Sequence, residues 1–416
     1  MFLENYFNSK NKEVYILAFL ILFSIFIRIP VIFIYGDEGL QNEWTLLVKN
    51  LINHGVLSFS YHDSNLQKFL FPNLYMPPLY AYYIYVFSFL SSAEQNYVLL
   101  VLFSQVLLAS ISIAIFYKVN RLFFSEKISL YSSLLYSIFP LHLYACSQIS
   151  SISLQTFLTI LFFYFFFKLT EKKNIQLIFL ISFISGLLIL LRQEFVAVLV
   201  LSLIYLFVFK KISINKTLLI ILITLITISP YLVRNIIIFE TVTITKTTGY
   251  NLWKGSHPLA EGIEGSEIKD EYLKEKVNKI PKNKLYGLNY DNLFLDEAIK
   301  NITNDPSRYI NLFFKKAISF LLIDIKSTDA RYYNPFHYIP VLLLGLLSII
   351  GITLTDKKSY KINYLILIFL FYLFIFSTVS ILPRYKLIVV PLQIIFTNIL
   401  IKKIIDNKFK KIQKLN

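Results

Sequence analysis

The feature that most constrains this chain is its series of long apolar runs separated by short links rich in Lys. Crossing a hydrocarbon core of about 30 Å takes roughly 20 helical residues, and several runs reach that length. An all-α polytopic membrane protein follows. The first run, about Val14 to Tyr35, is longer than a signal core and lacks a small-residue cleavage site, so it is expected to remain as the first span. Cys146 is the single cysteine, which excludes an intrachain disulfide, and two Met and five His suggest no metal cluster. The net charge of +16 does not point to nucleic acid, because of where it lies. The last segment, "IKKIIDNKFKKIQKLN", sets six Lys against one Asp beside an apolar run and reads as a cytoplasmic anchor on anionic lipid.

Charge also sets the topology. The links Lys118–Lys127, Lys168–Lys173, Lys210–Lys216 and Lys357–Lys361 are basic and are expected inside. Spans are expected at about 14–35, 97–117, 128–144, 147–168, 175–191, 194–209, 217–235, 338–354, 362–382 and 386–405, about ten in all. "PLYAYYIYVFSFL" gives only about 21 Å of helix and is placed in the outer interface as a juxtamembrane helix. "YINLFFKKAISFLLIDI", with Lys315 and Lys316 in its middle, is read as a second one. Three regions result. They are a transmembrane catalytic core over 1–235 with a first external loop at 36–96, an external loop region at 236–308, and a C-terminal part at 309–416. The middle region carries 11 of the 25 acidic residues and is nearly neutral, unlike the basic links.

This topology gathers polar residues on the external face: Asp37, Glu38 and Glu43 after the first span, Arg192 and Glu194 in "RQE", Arg234 and Asn235 in "SPYLVRN", and Arg384 in "LPRYK". Arginine near bilayer depth is costly unless it is paired or faces a polar cavity. Each group also has a structural explanation: a helix end meeting water, an Arg192–Glu194 ion pair, or interfacial anchoring of Arg234 and Arg384. His54, His62 and His257 lie in outer loops without ligand spacing.

Taken in order, "R-(8)-DE" at the end of the first span, "PPLY", "LLRQE", "SPYLVRN" followed by "TTGYNLWKGSHPLAEG", and "PRYKLIVVPL" resemble the glycosyltransferases related to protein O-mannosyltransferase and the lipid A aminoarabinose transferase. These are GT-C fold enzymes of the glycosyltransferase family 39 type. The sequence departs from them at "SQISSISLQTF", which offers Ser and Gln where the family often has a carboxylate, and at Tyr75 and Met76, where some members have an acid–Lys pair. The resemblance implies that Asp37 is the base on the acceptor, with Glu38 beside it as the second catalytic residue. Arg234 and Arg192 would bind the donor phosphate, with Arg384 third, and Glu194, Asn235, Tyr250, Asn251 and His257 would contact substrate. No Gly-rich phosphate loop or Asp-x-Asp pair is present to hold a nucleotide sugar. The expected donor is therefore a polyprenyl-phosphate sugar, and the acceptor a hydroxyl of a glycan, lipid or protein. No cofactor is required, although a divalent metal stays open. The expected reaction is sugar transfer with inversion on the outer face of a bacterial cytoplasmic membrane. The alternative is a transporter or flippase of polyprenyl-linked sugars.

Overall fold

A computed structural model of the chain describes residues 9–59, 72–172, 174–209, 211–258, 271–323, 334–356, 359–381 and 383–415. Lys173, Lys210 and Lys357, parts of both external regions (60–71 and 259–270), His62, and the ends of the segments predicted at 309–325 and 362–382 lie outside them. The described residues form seventeen α-helices and a short 3₁₀ turn at Pro383–Ile388. In order these are α1 (Ser9–Tyr35), α2 (Glu43–His54), α3 (Pro78–Ser88), α4 (Glu94–Asn120), α5 (Glu126–Ser137), α6 (Pro140–Ala145), α7 (Ile152–Glu171), α8 (Ile175–Leu191) and α9 (Phe195–Val208). They continue with α10 (Ile214–Phe239), α11 (Thr248–Lys254), α12 (Glu271–Asn278), α13 (Tyr286–Asn304), α14 (Pro306–Leu321), α15 (Pro335–Thr353), α16 (Tyr360–Thr378) and α17 (Val390–Leu415).

Among the described residues six helices are long and apolar enough to cross a membrane: Lys12–Tyr35 within α1, and α4, α7, α10, α15 and α16; α8 and α9 are shorter apolar helices. The chain is a polytopic helical membrane protein. Its spans pack into one continuous core, with α4 against α1 and α7, α8 against α7 and α10, and α15 against α17. The last pair meets closely, since a Cβ on Gly351 would sit 1.9 Å from the Phe396 carbonyl oxygen.

Two stretches differ from the sequence reading. The run predicted to span at 128–144 is split into α5 and α6, because Pro140 supplies no N–H and holds Phe139 in an extended conformation (φ −63°, ψ 121°). The helix predicted to end at 235 with "SPYLVRN" runs four residues further, since α10 carries Pro230 within it and continues to Phe239 before Glu240 caps it in the left-handed region (φ 56°).

The two short helices placed in the interface are present. α3 opens with Pro78 at its first turn, where a missing N–H costs nothing. α14 is capped by the Asp305 carboxylate, which accepts from the Arg308 N–H at 2.9 Å. Helical spacing puts Leu312, Lys316 and Phe320 on one buried stripe, so Lys315 points out and Lys316 points in.

Candidate active site

α1 ends at Tyr35, and the chain turns at once into Gly36 and Asp37. The Asp37 N–H donates to the Ser147 carbonyl at 3.1 Å, and its Oδ2 accepts the Ile149 N–H at 2.6 Å. Oδ1 has no hydrogen-bond partner among the described residues. Burial raises the Asp37 carboxyl above its usual 3.8, with the Ile149 N–H opposing. Glu38 beside it is exposed.

The turn that holds Asp37 is itself held. Gln105, fully buried on α4, donates to the Cys146 and Gln148 carbonyls at 3.2 and 2.9 Å and accepts the Tyr80 hydroxyl at 2.8 Å. The Gln148 amide donates to the Tyr35 carbonyl at 2.7 Å, tying the turn to the end of α1. On the other flank the Glu94 carboxylate accepts the Leu40 N–H at 3.0 Å and pairs with Lys49 at 2.9 Å. The segment without a carboxylate, "SQISS", thus supplies backbone groups to Asp37 instead.

The other motifs meet along residues 243–246. The Gln193 Oε1 accepts the Thr245 N–H at 2.8 Å, and the Asn235 amide donates to the Thr243 and Ile244 carbonyls at 2.6 and 3.1 Å. The Lys246 N–H donates to the Leu74 carbonyl at 2.7 Å. Arg234 Nη1 donates to the Asn73 carbonyl at 2.9 Å and to Asn235 Oδ1 at 2.6 Å. Asn73 closes its own turn, its Oδ1 accepting the Tyr75 and Met76 N–H groups, both at 2.9 Å. Arg234 and Asn235 therefore brace the turn that presents Tyr75. Arg192 Nε donates to Gln155 Oε1 at 3.0 Å, and among the described residues Arg192 and Glu194 form no ion pair.

Tyr75 marks where the pieces converge. Burial, then Tyr250, Glu43 and Tyr385, push its phenol upward, while Arg384 pulls the other way. Groups from the start of α2, from α11 and from the 3₁₀ turn thus act on one hydroxyl. Arg384 is exposed and donates no hydrogen bond to the protein among the described residues. Tyr250 faces Tyr75 edge-on with ring centroids 6.2 Å apart, and its N–H donates to Asp291 Oδ1 at 2.9 Å. Asn251 is half-buried beside it, and His257 is buried with its ring stacked on Trp253 at 4.8 Å. Asp37, Glu43, Arg192 and Arg384 thus end helices or line short turns, while Arg234 lies within the last turns of α10 and Tyr250 within α11. Sequence reasoning missed Tyr75, Gln105 and Asp291; only the Tyr75 position, before two prolines, carried a signal.

Beyond this site Lys316 is fully buried and donates to the Gly255 and Thr378 carbonyls at 3.0 and 3.4 Å. Burial, and then Arg308, push its ammonium down to about 7. Among the described residues no group of three His, Cys, Asp or Glu is arranged to hold a metal ion.

The sequence profile of the dolichyl-phosphate-mannose-protein mannosyltransferases matches residues 76–233, well under half of the chain. No curated protein matches it in sequence. In structure it is similar to the oligosaccharyltransferase AglB from Archaeoglobus fulgidus, solved with an inhibitory peptide and a dolichol-phosphate, at a TM-score of 0.55 and 12% identity over 98% of this chain and 52% of that one. The same enzyme tethered to an acceptor peptide gives 0.55 and 13% over 96% and 50%. ArnT from Cupriavidus metallidurans bound to undecaprenyl phosphate overlaps more loosely, at 0.39 and 10% over 92% and 75%. The chain spans about half the length of the oligosaccharyltransferase that it matches. Seventeen helices, the order of motifs along them and this match over nearly the whole chain give it the fold of the GT-C glycosyltransferases.

Proposed function

We propose that the chain is a membrane glycosyltransferase that moves a hexosyl or pentosyl group from a polyprenyl-phosphate donor to a hydroxyl of a glycan, lipid or protein. The reaction takes place on the outer face of a bacterial cytoplasmic membrane. The observation that carries this reading is Asp37: half-buried, with Oδ2 fixed by the Ile149 N–H and Oδ1 unoccupied by the protein. A carboxylate held by one oxygen is aimed with the other, and raising its proton affinity suits it to general-base work.

The acceptor hydroxyl attacks the anomeric carbon, its proton passes to Asp37 Oδ1, and the bond from that carbon to the phosphate oxygen breaks with its electron pair staying on the phosphate. Arg384, whose donors meet no acceptor among the described residues, neutralises the leaving phosphate, and charge-assisted bonds strengthen as charge develops there. Arg192, held by Gln155, is the second candidate for the phosphate, while Arg234 positions the Tyr75 turn. Glu38, Glu194, Asn235, Tyr250, Asn251 and His257 line or brace the acceptor side. The basic links on the opposite side of the bundle support placing this site outside. A lipid donor accords with the dolichol-phosphate present in the archaeal structure.

Direct displacement requires inversion. With a short-chain polyprenyl-phosphate sugar of known anomeric configuration and a membrane extract as acceptor, NMR of the product is expected to show the opposite configuration. Retention would overturn the single-displacement step.

A further inference from the structure

Arg28 sits on α1 about two turns before the helix ends at Tyr35, and it is 1% exposed. Its Nη1 donates to the Ser24 carbonyl at 3.3 Å and to Ser24 Oγ at 2.5 Å, and the Cys146 sulfur lies within hydrogen-bond reach. Nε has no acceptor. Arg28 borders a small cavity of about 10 Å³, room for one water-sized occupant, lined also by Ser112, Tyr136, His142, Ser153 and Thr156. His142 shares a hydrogen bond with the Leu387 backbone, and its Nε2 also lacks a partner.

The charge is the difficulty. Among the described residues no carboxylate pairs with Arg28. The Cys146 thiol donates to the Leu143 carbonyl at 3.0 Å, so it is no thiolate, and a phenol such as Tyr136 is neutral at pH 7. Lys316, equally buried, is able to shed its proton. Arginine is not, and an uncompensated charge inside a helical bundle costs several kcal/mol. A water in the cavity would meet Nε but leave the charge uncancelled. A polyatomic anion is too large for the space.

We infer that the cavity between α1, α4, α5, α6 and α7 binds one monoatomic anion, a halide and in the cell chloride, as counter-ion to Arg28. The hydroxyls of Ser153 and Thr156 complete its shell. The site is separate from the sugar-transfer chemistry, and its occupant locks the five helices together.

Two measurements on the purified full chain test this. In crystals soaked in bromide, an anomalous difference map at the bromine edge is expected to show a peak beside Arg28 Nε. In thermal unfolding at matched ionic strength, the parent is expected to melt several degrees higher in chloride than in gluconate, with a rise that depends on chloride concentration. Thr156→Val, which keeps the arginine, should need more chloride for the same rise, and Arg28→Met, if it folds, should show none. Equal melting in both salts, or bromide peaks only at the protein surface, would overturn the assignment and leave the cavity to water.

Discussion

Asp37→Asn is expected to lower sugar transfer by about 10²- to 10⁴-fold, the usual worth of a positioned general base. Asn keeps an oxygen to accept the Ile149 N–H, so the turn at 146–150 need not move, and binding of the polyprenyl-phosphate donor should persist. Fluorescence or calorimetric titration of the donor separates the two effects. The pH profile of the parent carries the same signature. The carboxylate is the active form, so the rate falls as pH drops through the Asp37 pKa. Because burial raises that pKa above 3.8, the fall begins nearer neutrality than for an exposed aspartate. A well-folded Asp37→Asn protein with near-parental turnover would remove Asp37 from the chemistry.

The arginines separate next. Arg384→Lys keeps the charge but loses the planar pair of donors that matches a phosphate, so donor use should weaken by about 1–3 kcal/mol, roughly 5- to 150-fold. Arg234→Lys should act differently. Nη1 of Arg234 serves two acceptors, Asn73 O and Asn235 Oδ1, and a lysine ammonium set back from them loses that geometry. The expected result is a lower melting temperature with the dependence on donor concentration close to the parent's. Donor titrations and melting curves for the two variants side by side distinguish a phosphate ligand from a brace. The opposite pattern would exchange their roles.

Much of this fold is legible in the sequence because bilayer crossing imposes a length that composition alone reveals. The runs that became α1, α4, α7, α10, α15 and α16 were visible as hydropathy. The split between α5 and α6 was missed because apolar composition masks a local backbone rule, although Pro140 stood in plain view. At the site, charged residues interrupting apolar runs drew attention to Asp37, Arg192, Arg234 and Arg384. Tyr75 stands out only as a departure before two prolines, with no role attached, and Gln105 not at all, since a glutamine on a hydrophobic helix gains meaning only from the carbonyls it meets. Lys316 shows the same limit. Two adjacent lysines look alike in sequence, and helix phase alone sends one into the core between Leu312 and Phe320.

Sugar is expected to leave its lipid at this site. The direct measurement uses the purified full chain in liposomes with a short-chain polyprenyl-phosphate sugar carrying separate labels on sugar and lipid, and an acceptor extract outside. The expected result is sugar bound to acceptor and free polyprenyl phosphate released in equal amounts, with both lost in Asp37→Asn. Movement of the doubly labelled donor between leaflets, intact and without release of free polyprenyl phosphate, would contradict transfer and make the chain a carrier of lipid-linked sugar.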